Sequence, residues 1–168
     1  MYQIEVKLAL VQHLFNPAAG WKVTVHVDAM ERARGGTHPT GKKKRAAQAL
    51  KELRALGVTI GNHDVYGAVD VVADHPDLGL RLIEVEGTSA RQKEQALYSC
   101  LGQLLLIMRG WGPDIRYGVA VPDELKWRRQ LAKIPRAVTS HLNLELYLAR
   151  PDGITTYEPA EQVIKLGK

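Results

Sequence analysis

Two stretches of the chain carry acidic residues at a spacing that can do chemistry. Ala68-Val69-Asp70-Val71-Val72-Ala73-Asp74 and Leu80-Arg81-Leu82-Ile83-Glu84-Val85-Glu86 flank His75-Pro76-Asp77-Leu78-Gly79. The proline, aspartate and glycine between them are turn residues, so the pair reads as a β-hairpin. Side chains alternate along a strand, which puts Asp70 on one face with Val72, and Glu84 on one face with Glu86. With the hairpin centred near Asp77, Asp70 stands opposite Glu84, and facing Cβ atoms lie ~4.5–5.5 Å apart. Opposed like charges on strands this apolar repel each other. A hard divalent cation offsets the repulsion, because Mg²⁺ takes one or two carboxylates and keeps several waters on which chemistry can be done. Asp70, Glu84 and Glu86 therefore predict a metal site for Mg²⁺ (or Mn²⁺). The competing reading is a slipped register, or a glutamate facing solvent on an edge strand.

Around the hairpin, residues 2–11 and 21–27 alternate with period two and are joined by the breaker-rich Asn16-Pro17-Ala18-Ala19-Gly20, which predicts an amino-terminal strand pair. Gly35 to Gly41 is a loop. Lys42 to Leu56 has helical spacing, with Gly57 as its stop. Val58–Gly61 is a short strand before the hairpin. A long helix then runs to about Arg109, capped by Thr88 or Ser89, with Ala96, Leu97, Cys100, Leu101, Leu104 and Met108 on its buried face. Ile115–Val121 is a strand, Asp123–Ile134 a basic amphipathic helix and Asn143–Ala149 a last strand; the tail from Asp152 carries no signal. The expected fold is an α/β sandwich with a mixed β-sheet flanked by helices. Residues 1–168 form a single domain, with a core over about 42–150 and an amino-terminal β extension over 1–34 that offers a surface for a homodimer.

Composition narrows the class. The chain has 168 residues, 45% hydrophobic and 24% charged, which excludes a disordered tail and a fibrous repeat. Its longest apolar run, Leu104 to Met108, falls far short of the ~20 residues of a bilayer crossing, and no signal core opens the chain. No membrane association is expected, and the chain reads as cytoplasmic. Cys100 stands alone, which leaves no intramolecular disulfide and no zinc ribbon. The net charge of +5 is concentrated in Lys42-Lys43-Lys44-Arg45 and in Lys126, Arg128, Arg129, Lys133 and Arg136, which suits a polyanion.

Val69-Asp70, then Ile83-Glu84-Val85-Glu86-Gly87, then a helix with Leu101-Gly102-Gln103-Leu104, resembles the PD-(D/E)xK nuclease superfamily, the restriction-endonuclease-like fold. The resemblance spans about Lys42 to Val121. It implies a metal-dependent phosphodiesterase in which Asp70 and Glu84 bind the metal, Glu86 shares the metal or positions the attacking water, and Gln103 supports the site. Two positions depart from the motif: Val69 replaces its proline and Glu86 its lysine. Some restriction endonucleases of the superfamily carry Glu-x-Glu and are active. The substitution hands charge stabilisation of the phosphate to another cation. Lys93 is a candidate, since it falls on the apolar face of its helix; snorkelling into water is the plainer reading. Glu52, on the preceding helix, is where the superfamily sometimes places a further acid.

Gly36 to Lys43 imitates a P-loop, but Lys43 replaces the hydroxyl residue and no strand launches it. The six histidines lack metal spacing. The expectation is a Mg²⁺-dependent endonuclease acting on DNA. Lys42, Lys43, Lys44, Arg45 and Lys93, with the face of Arg128, Arg129 and Lys133, would meet backbone phosphates, giving an affinity that falls with salt. The alternative is a non-catalytic nucleic-acid-binding or interaction module on a degenerate nuclease fold.

Overall fold

The structure is a computed structural model that describes residues 1–32, 38–88, 92–110 and 112–160. The expected loop residues Gly35, Gly36 and Thr37 and the expected cap Ser89 lie outside them. In chain order the elements are α1 (Gln3–His13), β1 (Lys22–Val25), α2 (Lys42–Ala55), β2 (Thr59–Ile60), β3 (Val71–His75), β4 (Gly79–Val85), α3 (Lys93–Ile107), β5 (Ile115–Pro122), α4 (Leu125–Leu131), α5 (Arg136–His141), β6 (Leu144–Arg150) and β7 (Gly153–Thr156).

The strands make one seven-stranded mixed sheet in the order β2-β1-β3-β4-β5-β6-β7. β3 and β4 form the expected hairpin, with Val71 opposite Ile83 and His75 opposite Gly79. α3 then crosses over to bring β5 in parallel beside β4, the kind of connection that a parallel pair requires. Alternation sorts the side chains by face. Val72 and Leu82 pack with Leu97, Cys100 and Leu104 of α3 and Trp127 and Leu131 of α4. Val71, Ala73, Ile83 and Val85 pack with α1 and α2. The fold is thus the mixed α/β class expected, with helices on both faces. No helix among the described residues is long and apolar enough to cross a membrane.

The amino terminus corrects the sequence reading. Residues 3–13 are helix, not strand: Glu5 accepts the Tyr2 N–H (2.7 Å), and Ile4, Val6, Lys7, Ala9, Leu10 and Val11 are all buried. A helix apolar on nearly every side shows no clean stripe, and its β-branched residues imitate a strand. β1 pairs instead with β3, antiparallel, and with β2, parallel. β1 thus lies inside the sheet and not in an amino-terminal strand pair. The strand pair offered as a dimer surface is absent, because α1 is packed between the sheet and α2. Thr88 does not cap α3, which starts at Lys93; its hydroxyl donates to Glu124. The expected helix over 123–134 shortens to α4, and α5 and β7 add elements with no sequence signal.

Gly79 opens β4 at φ +77°, and a Cβ there would lie 2.1 Å from the Asp114 carbonyl oxygen, which accepts the Leu80 N–H. Gly79→Ala combines left-handed backbone strain with a backbone clash, so a loss of ~1–3 kcal/mol is expected in urea denaturation. Unchanged stability would mean that the β4–β5 connection yields freely.

Candidate active site

The register of the hairpin decides where the acids meet. One step beyond the Val71–Ile83 pair brings Asp70 opposite Glu84, as the spacing predicts. Asp70 continues the ladder to the first strand through its carbonyl, which accepts the His26 N–H (3.0 Å), and its Oδ2 accepts the Val85 N–H (2.8 Å). Asp70 and Glu84 are 7% and 6% exposed, so both carboxyl groups are largely out of water. Burial pushes Glu84 up to about 8, and the adjacent Asp70 adds to the shift by its charge and by lying within hydrogen-bonding reach. Glu86, half-buried, is also raised, by burial first and by Asp70, against the Gly87 N–H that favours its ionised form.

The cation beside these acids comes from α1. Lys7 is completely buried, and its ammonium donates to Asp70 Oδ1 (2.7 Å), Glu31 Oε1 (2.5 Å) and the His26 carbonyl (2.7 Å). All three of its protons are used. Burial lowers its pKa, but Asp70 and Glu31 outweigh that and hold it above the ordinary lysine value. Gln3, one helical turn earlier on the same face, donates to Asp70 Oδ2 (3.1 Å). Glu31 is held in a turn in which its N–H donates to Asp28 Oδ1 (2.7 Å), while its Oε2 is buried without a partner. Burial pushes Glu31 up to about 7.

Neither Lys7 nor Glu31 was a candidate from the sequence. Read as a strand, Lys7 has no reason to face the acids. Read as a helix, it falls between Ile4 and Val11 on the buried side, and a core-facing lysine requires a partner. Glu31 sits in an irregular segment where no periodicity marks it.

Four carboxyl groups thus lie within the field of one buried ammonium, and Glu31, Glu84 and Glu86 hold protons more tightly, through burial first and through neighbouring carboxylates second. Asp70 and Glu84, close enough to share a proton, form the pair in which a hard cation can take that proton's place. Among the described residues no group of three His, Cys, Asp or Glu side chains is arranged to hold an ion. The fit is therefore to Asp70 and Glu84 plus water, a donor set that suits Mg²⁺ or Mn²⁺. The three hairpin acids feel one another's charge without forming a closed cage.

The remaining candidates divide. Gln103 is exposed on α3; Cys100 of the same helix is buried within the field of the acids, its thiol pushed up by burial and by Glu86, Asp70 and Glu84. Lys93 donates to the carbonyls of Thr88 (2.7 Å) and Gly87 (3.4 Å) and lies 4.9 Å over the Trp127 ring, so it anchors the strand end beyond Glu86 instead of pointing at the acids. Lys42 is buried and donates to the Met30 carbonyl (2.8 Å), which withdraws it from any phosphate. Arg45 forks onto Glu5 with two 2.6 Å bonds. Lys43 and Lys44 are exposed, but α2 lies on the sheet face opposite to that of Glu84. Glu52 accepts from Gln48 and Gln12, away from the hairpin. Arg128 is paired with Asp123 and Lys133 with Glu94.

No protein-family model matches the chain, and no curated protein matches it. Among solved structures, it is similar to the crystal structure of an XisH family protein from Nostoc punctiforme PCC 73102, with 14% sequence identity over 92% of this chain and 95% of that one and a TM-score of 0.43.

Proposed function

We propose that the chain is a metal-dependent nuclease that hydrolyses phosphodiester bonds in DNA. The observation that carries the reading is the buried Asp70–Glu84 pair with the Lys7 ammonium locked against it. Asp70 and Glu84 would hold Mg²⁺ or Mn²⁺, which, when bound, supplies a water of lowered pKa and charge neutralisation at the phosphate. Glu86 is partly open to water and its raised pKa makes it a stronger base than an ordinary carboxylate. Lys7 stands in for the lysine that the motif lacks. With every proton already bonded, it acts by its fixed charge and by orienting Asp70, not by touching the phosphate.

Incubating supercoiled plasmid with purified protein in Mg²⁺, Mn²⁺ or EDTA tests the reading. Nicking or linearisation is expected with either metal and not with EDTA, and Glu84→Gln should reduce the rate by ~100-fold or more. Cleavage that persists in EDTA, or that is indifferent to Glu84→Gln, sinks it. One observation favours the non-catalytic alternative: Asp70 already accepts from Lys7, Val85 and Gln3. DNA binding without cleavage in either metal would select that alternative.

A further inference from the structure

The two basic clusters of the sequence do not survive equally in the fold. Of the second cluster, Arg128 is engaged by Asp123 (2.5 and 2.9 Å) and Lys133 by Glu94 (2.7 Å). Lys126 and Arg129, on the outer side of α4, have no hydrogen bond or ion pair among the described residues. Both line a cleft of about 510 Å³ between the start of α3 and α4, together with Lys93, Gln92, Gln95 and Gln130. Glu94 also lines it, but its carboxylate is taken by Lys133 and by the Tyr98 hydroxyl (2.9 Å). The cleft therefore presents three cations and three amides around one neutralised acid. Lys126 also lies near enough to Lys93 to disfavour its charge, which Glu124 and Glu86 favour.

Its position is as informative as its charge. α3 and α4 cover the sheet face that carries Val72 and Leu82, and alternation along β4 puts Glu84 on that same face. Lys93 links the two places: its ammonium is bonded at Gly87 and Thr88, directly after Glu86, and attracts Glu86 electrostatically. A polyanion lying in the cleft would thus run towards the carboxylates. The lining is polar and offers no apolar anchor for a peptide. Its cations and amides are the donors that meet phosphate and sugar oxygens without reading sequence.

We propose that this cleft seats the sugar-phosphate backbone of the DNA strand and feeds it to the Asp70–Glu84 pair; the direction of feed rests on the nuclease reading, whereas the seating does not. Backbone contacts of this kind release counterions, so affinity falls with salt at a slope of about 0.9 per phosphate neutralised.

The experiment is fluorescence anisotropy of a labelled duplex and a labelled single strand, in EDTA, across a salt series. Wild type is compared with Lys126→Ala/Arg129→Ala and with Lys43→Ala/Lys44→Ala, which loses the same charge from the opposite face. The first variant should bind at least about 10-fold more weakly and with a salt slope lower by up to about 2, whereas the second should stay within about 3-fold of wild type. Melting curves matching wild type verify that both variants fold. Absence of DNA binding by wild type, equal losses in the two variants, no loss in the first, or equal competition by polyglutamate each overturns the proposal. Binding with the expected pattern, combined with no cleavage in any metal, would overturn the nuclease reading and leave the cleft standing.

Discussion

Lys7→Met should destabilise the protein by ~3–5 kcal/mol at neutral pH, a large share of the stability of a domain this size. Methionine keeps the bulk of the lysine stem, so packing around Ile4 and Val11 is largely preserved and the loss isolates the charge. What remains is Asp70 and Glu31 buried with no ammonium, and the His26 carbonyl without its donor. Acid should soften the effect, because protonating both carboxyls removes the uncompensated charges. Lys7→Met/Glu31→Leu should recover part of the loss, since an apolar pair in place of an ion pair removes desolvation costs as well as attraction. Urea titration near neutral pH decides the matter. A loss below ~1 kcal/mol would mean that the ammonium contributes little beyond filling space.

The second large effect is a fall in metal-free stability as pH rises. Glu31 is pushed up to about 7, Glu84 to about 8, and Glu86 is raised as well, all chiefly by burial. A carboxyl whose pKa is higher folded than unfolded makes the folded state the better proton binder. Its contribution is complete below the unfolded value near 4.5 and is lost as pH climbs through the folded value. A tenfold difference in proton affinity between the folded and unfolded chain corresponds to ~1.4 kcal/mol, and three groups move the same way. The melting temperature in EDTA should therefore drop between about pH 4.5 and about pH 8 and level off above that. Mg²⁺ or Mn²⁺ should restore it most at the alkaline end, where ion binding no longer has to displace protons. Glu84→Gln should flatten the profile, exceed wild type in alkaline EDTA and lose the response to metal. Parallel profiles for wild type and variant would show that Glu84 titrates normally.

The hairpin was legible because its signals are local. A turn with Pro, Asp and Gly and alternation determine a register up to the Val71–Ile83 pair, and Asp70 and Glu84 follow directly beyond it. The same local logic found α2, α3, β5 and β6. It failed on α1, where apolar residues all round erase the helical stripe and only tertiary burial distinguishes helix from strand. That failure hid Lys7, and with it the ammonium buried against Asp70; Lys93 was the cation visible in the sequence and turns out to hold carbonyl groups. The basic runs were visible as composition, but which lysines stay open depends on distant acids. Lys42 is consumed by Met30 and Arg45 by Glu5, pairings that no spacing rule contains.

α1 precedes every strand of the sheet, yet it packs against β6 and β7, close to the other end of the sheet in sequence. Gln3 reaches Asp70 across 67 residues of chain. Contacts of such separation form late, because the entropy of closing long loops must be overcome before they stabilise anything. The hairpin acids can therefore be brought together early by their own turn, while their ammonium arrives only when the last strands have docked. Until then the carboxyls must stay hydrated or protonated. Docking of α1 is accordingly the step at which the acids leave water and gain their ammonium. Loosening of α1, well short of global unfolding, should be enough to return them to water.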